Sequence, residues 1–155
     1  MVIQRWQSLL LLAAVAVMSC FTFCSLGQIQ TSDYTFNFTS LGFYQEGIPT
    51  DGNPDAVSHT WFFFTLSLTT TLLLLIDIFL YRNLQLQKKV CLVGILFIIA
   101  SAVSCGSLAY GFADGAHVGW SAVVVCPLLA IVAAMMAWNC MRRDHNRLKA
   151  VDRIR

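Results

Sequence analysis

The chain has 155 residues, of which 57% are apolar and only 12% are charged, and its formal net charge is +2. Ordinary soluble domains carry about 25% charged residues, so this composition excludes an ordinary water-soluble domain. The charges lie in short segments between apolar runs of roughly twenty residues, which is the length that an α-helix needs to cross a bilayer. We therefore expect an integral membrane protein.

Four apolar runs predict four membrane-spanning helices. They cover residues 6–27, 60–81, 90–112 and 118–141. The first run follows a short basic start and could instead be a cleaved leader ending at Cys20, but it stays apolar beyond that cysteine, so we expect a retained helix. Short connections favour antiparallel neighbours, and the sequence predicts an all-α membrane protein, a single domain built as a four-helix bundle.

The segment 28–59, between the first two runs, is the longest polar part of the chain. Aromatic and polar residues alternate at Tyr34, Phe36 and Phe38, with the period of a half-buried strand, and the turn formers "EGIPTDGNPD" follow. We expect a small outer cap with a short β-hairpin on the mouth of the bundle. Pro127 lies inside the fourth run, where we expect it to kink the helix.

Basic residues mark one side of the predicted membrane domain. The ten are Arg5, Arg82, Lys88, Lys89, Arg142, Arg143, Arg147, Lys149, Arg153 and Arg155. With four spans, the N-terminus, the link between the second and third spans and the tail 142–155 share one face. An excess of Lys and Arg in short loops marks the cytoplasmic face, so the sequence predicts that both termini are cytoplasmic. The basic tail is too short and too close to the membrane to indicate nucleic-acid binding.

Asp77 is the one acidic or basic residue that falls within a span, and such residues are costly enough to indicate a functional site. Because it lies four residues before Tyr81, near the boundary, we expect an interfacial ion pair or a helix-packing hydrogen bond. A proton or substrate role is the alternative. Ser67 and Thr70 fall on the same helix face, although hydroxyl groups in such helices commonly bond to their own backbone or to a neighbouring helix.

Cysteine spacing argues against catalysis. The four cysteines in the outer halves of the spans are Cys20, Cys24, Cys105 and Cys126. Four-span disulfide-forming enzymes use a Cys-x-x-Cys pair, which this chain lacks. We expect its cysteines to behave as small apolar residues.

Histidine offers one further candidate, because His59 and His117 both stand where an outer loop meets a span. A metal site shared by the two across the outer mouth is the less favoured interpretation, since two histidines are few for a metal. We expect no catalytic constellation, no cofactor and no metal site.

Two end segments carry a resemblance. "MVIQRWQSLLLLAAV" and "RRDHNRLKAVDRIR" resemble the start and the end of an uncharacterised four-span inner-membrane family of Bacteroidota, a domain of unknown function. The resemblance implies the same span number and loop order, and it draws attention to four charged residues on the cytoplasmic face. These are Arg5, Asp152, Arg153 and Arg155. Our hypothesis is that Arg5 pairs with Asp152 and ties the N-terminus to the tail.

These patterns favour a non-enzymatic accessory or assembly protein of the bacterial inner membrane, in contact with lipid and bound to another envelope protein. Self-association into a homo-oligomer is compatible with the sequence. Two alternatives remain: a membrane thiol enzyme that uses the outer-half cysteines, and a small transporter or lipid-binding protein that uses Asp77 and the hydroxyl face of the second span.

Overall fold

The computed structural model describes residues 2–30, 35–46, 56–113 and 117–152, and this part of the chain holds four α-helices. They are α1 (Val2–Phe23), α2 (Trp61–Phe79), α3 (Leu84–Ala113) and α4 (Cys126–Asp152). Each has a stretch long and apolar enough to cross a membrane, as the sequence predicts. A single 3-10 turn, Leu80–Arg82, links α2 to α3, and so short a connection makes them antiparallel neighbours.

The four helices form a closed ring in which α1 and α3 each pack against both α2 and α4. On α1, the side chains that face the interior recur every three or four residues, as a helix stripe requires: they are Leu11, Ala14, Met18 and Phe21. The outward side chains are apolar as well, for example Leu9 and Leu12. A bundle that is apolar on both faces suits a lipid environment.

A five-stranded antiparallel sheet covers one end of the bundle. Its strands are β1 (Gly27–Gln30), β2 (Thr35–Thr39), β3 (Gly42–Glu46), β4 (Ala56–His59) and β5 (His117–Trp120). Their order across the sheet is β4-β3-β2-β1-β5. The predicted hairpin is β2–β3, and the sheet is larger than predicted because β5, from the connection between α3 and α4, pairs with β1. We call this the sheet end of the bundle and the opposite end, where α1 starts and α4 finishes, the termini end.

Aromatic side chains attach the sheet to the helices. Phe38 on β2 is buried and stacks on Phe43 of β3, with ring centroids 4.6 Å apart and planes at 12°. It also lies 6.2 Å from the ring of Phe63 on α2. Phe36 is partly buried, so the predicted alternation is confirmed at Phe36 and Phe38, whereas Tyr34 lies outside the described residues.

The turn between β2 and β3 is bonded to two helices. The Ser40 hydroxyl donates to the main-chain oxygen of Thr22, near the end of α1, where backbone carbonyl groups lack a partner within the helix. The Thr60 hydroxyl, immediately before α2, donates to the main-chain oxygen of Ser40 at 2.9 Å. The hairpin is therefore fixed between α1 and α2.

The start of α4 differs from the sequence prediction. Residues 117–120 form β5, a 3-10 turn follows at Ala122–Val125, and α4 begins at Cys126. Pro127 is therefore in the first turn of α4, where its missing N–H removes no helical hydrogen bond. The proline marks a junction between two helical elements and does not interrupt a regular helix.

Candidate functional site

Asp77 is fully buried inside the bundle, near the C-terminal end of α2. Its side chain is 0% exposed, and neither carboxylate oxygen has a hydrogen-bond partner among the described residues. The ion pair expected for this carboxylate is not found in the described part of the chain, and the packing partner of its side chain there is the Cys91 thiol of α3. An ionised carboxylate in apolar surroundings without a partner costs several kcal/mol, so this position needs a physical explanation.

Gln87, in the first turn of α3, lies across from Asp77. It is 1% exposed, and its side-chain amide Nε2 donates to the main-chain oxygen of Asp77 at 3.2 Å. Its own Oε1 is buried and has no partner within the described residues. Two buried polar side chains from adjacent helices therefore meet at this level.

Cys91, one turn after Gln87 on α3, completes the contact. Its thiol lies against the Asp77 carboxyl group and is 3.6 Å from the main-chain oxygen of Ala134 on α4, to which it donates a weak hydrogen bond. Two helices thus contribute to one buried polar cluster, which we call the Asp77 cluster: Asp77 from α2, and Gln87 and Cys91 from α3.

The hydroxyl groups predicted on the same face of α2 are buried but already bonded. Ser67 donates to the main-chain oxygen of Phe64 at 3.0 Å, and Thr70 donates to that of Leu66 at 2.7 Å. Leu74 is buried between this hydroxyl region and Asp77. The two predicted hydroxyl residues therefore share the interior of the bundle with Asp77, but an apolar side chain separates them from it.

A second contact between a buried glutamine and an aspartate joins α1 to α4. The Gln7 amide Nε2 donates to a carboxylate oxygen of Asp144, and Gln7 is buried at 2% exposure. Both contacts lie at the termini end: Gln7 and Gln87 are close to the first residues of their spans, and Asp77 and Asp144 are close to the last residues of theirs. Neither glutamine is predicted from the sequence, although each is a polar residue at the edge of an apolar run.

The predicted contact between the N-terminus and the tail remains untested. The side chains of Arg5 and Asp152, and Arg153 and Arg155 altogether, lie outside the described residues. The helix α4 continues to Asp152, so most of the tail extends the fourth helix.

The cysteines separate into two groups. Cys91 and Cys105 are buried in the bundle, whereas Cys20 on α1 and Cys24, immediately after α1, are exposed. Cys126, at the start of α4, lies within electrostatic range of Cys20 and Cys24. Three of the four outer-half cysteines therefore approach one another at the sheet end, and Cys105 is not among them.

The two histidines lie far apart. His59 is on β4 and His117 is on β5, the strands at the two opposite edges of the sheet. Four strand spacings of about 4.8 Å each separate these edges, so the two imidazoles cannot share a metal ion, and the shared site considered for them is ruled out.

The fold and the buried cluster define a class: a multi-pass, four-helix membrane bundle closed at one end by a small antiparallel sheet. Within that class, residues 3–154 match the family model DUF4293, a domain of unknown function. The chain belongs to this family, in agreement with the resemblance carried by its two end segments. A comparison with curated proteins finds no match.

Proposed function

We propose that this protein is a non-enzymatic accessory or assembly protein of the bacterial inner membrane, and that it binds an extended segment of another envelope protein along the free edge of β5. The observation that carries this proposal is the position of β5 at an edge of the sheet, where in the described part of the chain it pairs with β1 alone. An exposed sheet edge is a ready template for an added strand.

The pairing register identifies the backbone groups that point outward from this edge. The Ser121 N–H donates to the main-chain oxygen of Leu26, and Gly27 is aligned with Trp120. In an antiparallel pair, hydrogen-bonded and non-bonded positions alternate. The N–H and C=O groups of Val118 and Trp120 therefore point away from β1, free of that ladder.

Aromatic side chains flank the same edge. Trp120 is 40% exposed and Tyr110, at the sheet end of α3, is 71% exposed. Their rings lie 6.2 Å apart in an edge-on arrangement. Backbone hydrogen bonds from β5 and apolar contacts from this pair together suit a peptide strand with apolar side chains at alternate positions.

We further propose that the termini end faces the cytoplasm, so that the sheet faces outward. The ten basic residues support this orientation because all of them fall near the start of α1, in the turn between α2 and α3 or the beginning of α3, or in the tail 142–155. Reporter fusions at the two ends of the chain and within segment 47–55 test it. Cytoplasmic signals from both ends and an external signal from the segment are expected, and the reverse pattern would overturn the orientation.

The experiment for strand binding is a purification of the tagged protein from its own membranes in mild detergent, followed by sizing and mass spectrometry. The Val118→Pro variant removes the outward N–H and keeps the pairing of β5 with β1, since proline is tolerated on the free side of an edge strand. Gly119→Pro is the matched control, because position 119 points toward β1 and the proline removes a ladder hydrogen bond.

A stoichiometric envelope protein that co-elutes with the wild type and is lost from a folded Val118→Pro variant is the expected result. If the partner still copurifies with the Val118→Pro variant, it does not bind along this edge. A wild-type protein that elutes only with lipid, or only as a homo-oligomer, would remove the support for an accessory role.

The thiol-enzyme alternative stays a hypothesis, and the approach of Cys126 to Cys20 and Cys24 is the observation in its favour. Replacing these three residues with serine tests it. An accessory protein should keep its partner and its support of growth, whereas a thiol enzyme should lose its function.

A further inference from the structure

The Asp77 cluster contains three buried acceptor atoms that its own donors leave unsatisfied. Both carboxylate oxygens of Asp77 and the Oε1 atom of Gln87 are buried and lack a partner among the described residues. The amide nitrogen Gln87 Nε2 donates one of its two N–H groups to the main-chain oxygen of Asp77. Buried polar groups are normally hydrogen-bonded, so three unsatisfied oxygens on two facing helices indicate a site for a positively charged ligand.

The contact between α1 and α4 shows how the same residue types behave when they satisfy each other. There the Gln7 amide donates directly to the Asp144 carboxylate. At the Asp77 cluster, the amide of Gln87 donates to the main-chain oxygen of Asp77 and not to its carboxylate. Both pairs nevertheless lie at the same end of the bundle. The open carboxylate is therefore not a general consequence of placing a Gln–Asp pair at a helix boundary.

We propose that Asp77 and Gln87 bind a singly charged cation, a sodium ion or a proton, between α2 and α3. One carboxylate compensates one positive charge, and oxygen ligands select hard cations over soft ones. Either cation removes the unpaired charge of Asp77. A sodium ion would be held by the carboxylate and by Gln87 Oε1 together, and a proton would sit on the carboxyl group, which then becomes the donor that Gln87 Oε1 lacks.

The other ionisable groups near this site are few. From α3, Cys91 faces the carboxyl group, and two cationic residues, Lys88 and Lys89, follow Gln87 in the same helix. The described side chains of α1, the other helix that packs on α2, include only one ionisable residue, Cys20, which lies near the sheet end. On α4, across the bundle, Asp144 is already held by Gln7. The response to sodium or pH at this site should therefore follow Asp77.

The test measures thermal unfolding of the purified full chain in mild detergent, with sodium chloride replaced by choline chloride at constant ionic strength, at pH 8 and at pH 5.5. If sodium is the ligand, Tm rises with sodium at pH 8, by about 4 °C when sodium is at roughly ten times its Kd. If a proton is the ligand, Tm is the same in both salts and rises as the pH falls, because the folded state takes up the proton.

Two substitutions decide between the site and a general salt or pH effect. Asp77→Asn carries no charge and brings its own amide donor, so we expect it to abolish the response while its Tm in choline at pH 8 is no lower than that of the wild type. Asp144→Asn is the matched control, since it changes a carboxylate that already has a donor, and it should keep the wild-type response.

A response shared equally by the wild type and Asp77→Asn, or a wild type with no response to either sodium or pH, overturns the proposal. Should Asp77→Asn fail to fold, Gln87→Met provides the second measurement, because it removes the Oε1 acceptor and nearly preserves the volume. We expect it to shift the midpoint of the sodium or proton response about tenfold, which is the loss of roughly one charge-assisted contact. An unchanged midpoint would exclude Gln87 from the site.

Discussion

Gln7 on α1 donates a hydrogen bond to the carboxylate of Asp144 on α4 and connects the first helix of the chain with the last. Gln87 occupies the corresponding position on α3, and Asp77 corresponds to Asp144. At the termini end of the bundle, two contacts between a glutamine and an aspartate therefore join neighbouring helices, one between α1 and α4 and one between α2 and α3. Only the first glutamine bonds to the carboxylate, whereas the carboxylate oxygens of Asp77 lack a hydrogen-bond partner among the described residues.

The first prediction concerns the Gln7–Asp144 contact. Gln7→Met removes the amide donor and preserves most of the volume, so we expect a loss of about 0.5–1.5 kcal/mol in unfolding free energy, measured by thermal unfolding in detergent. Gln7→Glu should cost more, because it places two carboxylates together. The control is Leu9→Met on the exposed face of α1. If Gln7→Met and Leu9→Met are equally mild, the hydrogen bond does not stabilise the bundle.

The second prediction concerns the aromatic contact between the sheet and the helices. Phe63 is 1% exposed and meets the rings of both Phe21, at 5.9 Å, and Phe38, at 6.2 Å. Phe63→Ala should therefore lower the unfolding free energy by about 3–5 kcal/mol. The adjacent Phe62 is 76% exposed, and Phe62→Ala should change stability by less than about 1 kcal/mol. Similar losses of unfolding free energy for the two variants would mean that Phe63 does not attach the sheet to the helices.

The third prediction concerns the pairing of β1 with β5. A Cβ atom on Gly27 would lie 2.7 Å from the main-chain oxygen of Gly119, so Gly27→Ala must push the two strands apart. We expect a lower Tm and faster amide exchange in β5. Gly106, inside α3, has no heavy atom within 4 Å of an added Cβ, so Gly106→Ala should leave stability unchanged or raise it by about 0.5–1 kcal/mol. Unaltered exchange in β5 of Gly27→Ala would contradict this register.

The number of helices and the position of the cap could be predicted from the sequence, because apolar runs of sufficient length encode spans directly. The β2–β3 hairpin could also be predicted, because Phe36 and Phe38 alternate with polar residues. β5 could not be foreseen. Its four residues, "HVGW", join a strand that lies about ninety positions earlier in the chain, and no local period records such a distant partner.

The Asp77 cluster was only half predictable. Asp77 is conspicuous because a carboxylate is rare inside an apolar run, and its position on the helix face shared with Ser67 and Thr70 follows from helical periodicity. Gln87, in contrast, falls within the polar stretch "RNLQLQKK", which looks like a solvated link. The structure buries it because α3 begins at Leu84 and brings this stretch into the helix packed against α2.

The last prediction tests the close approach of α2 and α3 beside that cluster. A Cβ atom on Gly94 would lie 3.1 Å from the Cδ2 atom of Leu74, and both residues are buried. Gly94→Val should cost about 1–3 kcal/mol through overpacking, and Leu74→Ala about 2–5 kcal/mol through the cavity it leaves. Because the new methyl groups would occupy that cavity, the double variant should be more stable than the sum of the two losses implies, as thermal unfolding of all four proteins can measure. Strict additivity would mean that the two helices do not meet at these residues, and the neighbouring Asp77 cluster would then lose its structural basis.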